Sequence, residues 1–122
     1  KLREILNYGH TLGHAIEKHS KFKLRHGEAV SIGLVFAAEL SNLLGNLPSS
    51  VVEQHRKILS LFNLPTTYSN SALPSLLKLM LSDKKVKNQK IRFIGIKGVG
   101  KPQWLESVNP KQIESAYERI TI

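Results

Sequence analysis

Polar and apolar residues separate at helical spacing from the first positions of the chain. Arg3, Asn7, His10 and His14 recur every three or four residues, within an arc of roughly 60° on a helical wheel, while Leu2, Ile5, Leu6, Leu12 and Ile16 gather on its other sides. The pattern predicts a helix from near residue 2 to His19, followed by the basic loop SKFKLR. The segment HGEAVSIGLVFAAELSNLLG is apolar on nearly every side from Ala29 to Leu44, as expected of a helix in the middle of a bundle, and Gly45 with Asn46 supplies its stop. After Pro48, Ser50 and Glu53 read as a capping box opening a helix to about Phe62, which Asn63 and Pro65 end. A further helix is expected from Pro74 to Ser82, with Leu73, Leu76, Leu77, Met80 and Leu81 at core spacing. IRFIGIKG and QWLESV read as two strands joined by GVGKP, and Asn109 with Pro110 opens a closing helix carrying Ile113, Ala116, Tyr117 and Ile120. The fold class is mainly α, a helical bundle with one small β-hairpin, and residues 1–122 form one domain without repeats or low-complexity tracts.

Composition narrows the setting. A chain of 122 residues can bury about 65% of its unfolded surface, so it needs no disulfide to hold a core, and it contains no cysteine. Thiolate chemistry and cysteine-ligated zinc are excluded, and a reducing compartment is consistent. With no charge-free apolar run of about 18 residues and no signal-peptide pattern, the expectation is a soluble, cytoplasmic protein that does not enter a membrane. A net charge of +9 points to a polyanionic partner, an anionic substrate or the loss of an acidic partner segment. The sequence opens inside a helical pattern with no N-cap before Lys1, which suggests a fragment whose other half lies upstream.

Chemistry concentrates in the first thirty residues. His10 and His14, four apart on one helix, can point two imidazoles into one coordination sphere. This is not the His-Glu-x-x-His of zinc peptidases, because Thr11 stands where the general base belongs. His26 opens the next helix and returns to the level of His10 or His14 if the two helices pack antiparallel. Glu28 is a local carboxylate, read as a first-turn charge favoured by the helix dipole. Glu17 is read as facing away from the polar stripe, solvated or salt-bridged, and His19 and His55 as surface residues. Arg3 and Asn7 can hold an anionic, hydroxylated ligand. Lys84 and Lys85 follow a helix end, where a lysine either reaches a cleft as a point charge for phosphate or is simply solvated. The glycines of GIKGVG suit a hairpin turn rather than a phosphate loop.

Taken together, RxxxNxGHTxGHAIE, then HGEAVxxG, then DKK before a strand, resemble the C-terminal domain of the 3-dehydroquinate synthase family, one of the sugar-phosphate cyclases. The resemblance spans essentially the whole chain. It implies that His10 and His26 are metal ligands, with zinc the usual ion and cobalt an alternative, and that His14 assists proton transfer at the hydroxyl being oxidised. It implies substrate binding by Arg3, Asn7 and His14 and by the Lys84–Lys85 pair. The third metal ligand and the NAD site would lie in an upstream NAD-binding α/β domain, outside this chain, so the chain alone is expected to be inactive. The implied substrate is a phosphorylated sugar acid, 3-deoxy-D-arabino-heptulosonate 7-phosphate, converted to 3-dehydroquinate and phosphate in the shikimate pathway of aromatic amino acid biosynthesis, and the full-length enzyme can be a homodimer. KNQK after Val86 departs from the family, which often has a glycine there. The rivals are a sister cyclase making an inosose or valiolone and, from the charge alone, a basic helical nucleic-acid-binding module. The chain is expected to bind no nucleic acid.

Overall fold

The computed structural model describes residues 10–45, 47–81, 93–98, 101–105 and 110–121, with side chains for 12–45, 47–80 and 111–121. Five α-helices and one hairpin follow in order among the described residues: α1 (His10–His19), α2 (His26–Leu43), α3 (Ser49–Leu61), α4 (Leu73–Leu81), β1 (Phe93–Gly98), β2 (Lys101–Leu105) and α5 (Pro110–Glu118). A short 3-10 turn, Asn70–Ala72, leads into α4. The bundle with a small hairpin expected from the sequence is the architecture found. The start of α1 falls outside the described residues.

Helix α2 is the hub, packing against α1, α3, α5 and β1, while α1 also packs against α4. Its composition explains this position. Eleven of its residues are buried, on all sides of the helix, so no single face is left for solvent. The core joins Leu12 and Ile16 of α1, Ile32, Val35, Phe36 and Leu40 of α2, Leu76 and Met80 of α4, and Ile113, Ala116 and Tyr117 of α5. The rings of Phe36 and Tyr117 meet at 6.4 Å between centroids and 58°, a tilted arrangement favoured by the ring quadrupoles. Complete burial of each large apolar side chain contributes about 1.5–3 kcal/mol.

Two polar clusters lock the helices. Glu39, 11% exposed at its side chain, sits in the otherwise apolar α2 and accepts from Arg56 of α3 at 2.7 Å and from Arg119 at 3.3 Å. Arg119 also reaches Asn42 Oδ1 at 2.9 Å, and Arg56 donates to the Arg119 carbonyl at 2.7 Å. The phenol of Tyr117 donates to the Ser69 carbonyl at 2.6 Å. Burial, with a smaller contribution from Tyr68, raises the Tyr117 phenol far above the usual tyrosine range.

Among the described residues the helix boundaries agree with the sequence except at α3; the expected start near residue 2 and the end at Ser82 lie outside them. The N-cap of α3 is Pro48, with no side-chain cap, and Ser50 already lies inside the first turn. The expected Ser50–Glu53 box is therefore not formed. The chain enters one residue earlier, with Asn42 Nδ2 spanning to the Leu47 carbonyl at 2.8 Å and to Ser49 Oγ at 3.2 Å. Beyond α5, Tyr68 donates its backbone N–H to the Ile120 carbonyl at 2.9 Å, tying the α3–α4 connection to the end of the described chain. Strands β1 and β2 pair antiparallel from Phe93↔Leu105 to Gly98↔Lys101, with an irregularity between Ile96 and Gly98.

Candidate functional site

The site is built where the chain turns from α1 into α2. The N–H of Phe22 donates to the Glu17 carbonyl at 2.8 Å and that of Lys21 to the Lys18 carbonyl at 3.1 Å, the paired bonds of a Schellman closure. Lys21 holds the left-handed position at φ 55, and Phe22 follows at φ 63. A side chain in that backbone region costs about 1–2 kcal/mol, where glycine would cost little. The reversal brings α2 back along α1 after residues 20–25.

Helix α2 starts with its own lock. The backbone N–H of Arg25, the N-cap residue, donates to Glu28 Oε1 at 2.8 Å. Glu28 thus satisfies a helix-start donor in addition to its favourable charge, and its carboxylate is committed there. The two helices then approach closely. A Cβ added at Gly13 would lie 3.2 Å from Val30 Cα and 3.3 Å from the Ala29 carbonyl oxygen, so only glycine lets the backbones meet at this distance.

This contact sets the neighbouring histidines beside one another. His14 of α1 and His26 of α2 have ring centroids 6.2 Å apart, inclined at 33°. The Nδ1 of His26 is 2.8 Å from Glu17 Oε1, with the imidazole 59% exposed and the carboxylate 15% exposed. An open ring is therefore tethered on its inner edge. Glu17 lies seven residues after His10 and three after His14, within the polar stripe. The expectation that it faces away from the stripe is corrected. The same spacing rule that finds the histidines contains it.

His19 also departs from its sequence assignment. It is part-buried, with Nδ1 2.7 Å from the Tyr68 hydroxyl and the two rings edge to face at 5.6 Å. It therefore helps tie α1 to the α3–α4 connection, and burial raises the Tyr68 phenol above its ordinary value. His55 donates Nδ1–H to the Val51 carbonyl of its own helix at 2.8 Å.

His10 is the first described residue of α1, but its side chain lies outside the described residues, as do Arg3, Asn7, Lys84 and Lys85. The structure thus brings His14 and His26 together. Among the described residues no group of three His, Cys, Asp or Glu side chains gathers as a complete metal cage. The donor chemistry still fits a divalent cation, since imidazoles from facing helices are its common nitrogen ligands and no thiolate is present to compete.

The fold aligns with that of a 2-deoxy-scyllo-inosose synthase crystallised with carbaglucose-6-phosphate, NAD+ and Co2+. The TM-score is 0.75 at 26% identity, over 93% of this chain and 34% of that one. A 2-epi-5-epi-valiolone synthase from Streptomyces hygroscopicus, with NAD+ and Zn2+ bound, shares the fold at TM-score 0.79 and 21% identity, over 98% of this chain and 33% of that one. The class is that of the sugar-phosphate cyclases. Residues 1–86 match the family described as 3-dehydroquinate synthase C-terminal. The 3-dehydroquinate synthase of Mycolicibacterium vanbaalenii is 51% identical over 120 residues, which are 98% of this chain and 33% of that protein. The chain belongs to the 3-dehydroquinate synthase family, and it spans about a third of the length of the curated relatives it matches.

Proposed function

We propose that this chain is the metal- and substrate-binding part of a 3-dehydroquinate synthase. The reaction is conversion of 3-deoxy-D-arabino-heptulosonate 7-phosphate to 3-dehydroquinate and phosphate. His10 and His26 hold a divalent cation, zinc or cobalt, and a third, carboxylate ligand comes from outside these residues. There these residues would supply, through the bound cation, Lewis-acid chemistry at the substrate hydroxyl whose carbon gives up hydride to NAD. His14, beside His26, carries the proton of that hydroxyl, a role suited to an imidazole near neutral pH. Arg3 and Asn7 orient the hydroxylated substrate, and Lys84 or Lys85 meets one of its anionic groups. The net charge of +9 favours capture of a substrate bearing both phosphate and carboxylate.

The observation that carries this reading is the pairing of His14 and His26 at 6.2 Å on two helices locked by a glycine contact. NAD belongs to an upstream α/β domain, so the 122 residues alone release no phosphate from the heptulosonate. The test is phosphate release by the whole gene product with NAD and zinc. Turnover on the heptulosonate, lost in His14→Ala and His26→Ala, supports the proposal. Turnover on glucose 6-phosphate instead assigns the chain to the sister cyclases. Robust activity of the 122 residues alone overturns the division of labour.

A further inference from the structure

We infer that Glu17 is a positioning residue for the metal-binding imidazole of His26. The inference rests on the proposed role of His26 as a ligand and adds a residue that role does not require. A carboxylate is only an acceptor, so the 2.8 Å contact between Glu17 Oε1 and His26 Nδ1 places the ring proton on Nδ1. In the neutral ring the lone pair then resides on Nε2, the nitrogen presented to the cation. The negative charge behind the ring also strengthens Nε2 as a donor, the relation by which carboxylates tune metal-bound histidines.

The surroundings make this tether firm at both ends. Glu17 is 15% exposed and closes the last turn of α1, where its own carbonyl accepts from Phe22 at 2.8 Å and from Ser20 Oγ at 3.1 Å. His26 is the first residue of α2, next to the N-cap that Glu28 pins. The ring itself is 59% exposed, and the carboxylate holds its Nδ1 edge against α1. His14 and Glu17, three apart on one helix face, both neighbour the ring from α1.

The test uses the whole gene product, stripped of metal. Zinc affinity is measured by competition with a chromophoric chelator, and the visible spectrum is recorded after loading with cobalt. Glu17→Ala is expected to weaken zinc 10- to 100-fold. Glu17→Gln, which keeps an acceptor oxygen without the charge, falls between Ala and the parent and shifts the cobalt bands while the melting temperature of the metal-free protein stays put. A helix tie without a role at the metal would move the melting temperature and leave those bands unchanged. Should Glu17→Ala not fold, the Gln variant against the parent decides. Equal affinity and identical spectra in parent and variants overturn the inference while His26→Ala still loses metal. Retention of metal by His26→Ala overturns the proposed ligand role itself, and the inference with it.

Discussion

Two glycines flank the histidine pair, and the same substitution is expected to act oppositely at each. At Gly13→Ala the new methyl carbon meets α2 backbone at 3.2 and 3.3 Å, atoms that cannot rotate aside. Exchange of glycine for alanine inside a helix contributes up to about 1 kcal/mol, while overpacking against a fixed neighbour costs about 1–3 kcal/mol. The net is a loss of about 1 kcal/mol, and the two helices spread by a few tenths of an ångström. At Gly27→Ala, in the first turn of α2, nothing lies within 4 Å of the new carbon, so only the propensity gain remains, a few tenths to about 1 kcal/mol. Urea unfolding followed by circular dichroism, compared at equal slopes, should separate the two variants by about 1.5 kcal/mol. Spreading the helices also lengthens the 2.8 Å Glu17–His26 contact, so zinc affinity falls in Gly13→Ala and not in Gly27→Ala. If both variants gain stability equally and bind zinc like the parent, the α1–α2 contact has slack and does not set the site.

Three further outcomes are expected. Lys21→Gly removes a side chain from the left-handed backbone at φ 55 and should stabilise the protein by about 1 kcal/mol, read from the urea midpoint. Glu39→Gln should cost about 2 kcal/mol, below the 3–5 kcal/mol of a fully buried pair, because the Arg56 and Arg119 side chains are 24% and 38% exposed and keep other acceptors. A loss under about 0.5 kcal/mol would mean that the network is inert. In alkali, burial favours the neutral phenols of Tyr68 and Tyr117 in the fold, so their contribution is intact below the ordinary tyrosine value near 10 and is lost as the pH rises through and above it. Their phenolate absorbance should therefore rise together with unfolding rather than ahead of it.

What the sequence made legible was local. The three-four-seven spacing of Leu12 and Ile16, the uniformly apolar run after Ala29 and the glycines between two β-rich segments each report the neighbourhood of their own residues, and each predicted its element. Glu17 was within reach of that same rule. The capping box at Ser50 was a motif match that Pro48 and Asn42 displaced by starting the helix earlier. The His19–Tyr68 bond spans 49 positions and the Arg119–Glu39 bond 80, distances at which no periodicity speaks. Such pairings arise only when the helices have packed. The roles of Arg3, Asn7, Lys84 and Lys85 rest on motif resemblance, and these residues lie outside the described ones.

The short connection from Ser20 to Arg25 has a consequence for sequence change. Surface loops ordinarily absorb added or deleted residues, yet here the turn fixes the register between a carboxylate and a ring nine positions later. An extra residue at the head of α2 would swing the imidazole by about 100° around the helix axis and 1.5 Å along it, away from its anchor. The stretch therefore works as a spacer of set length, permissive towards side-chain identity and intolerant of indels.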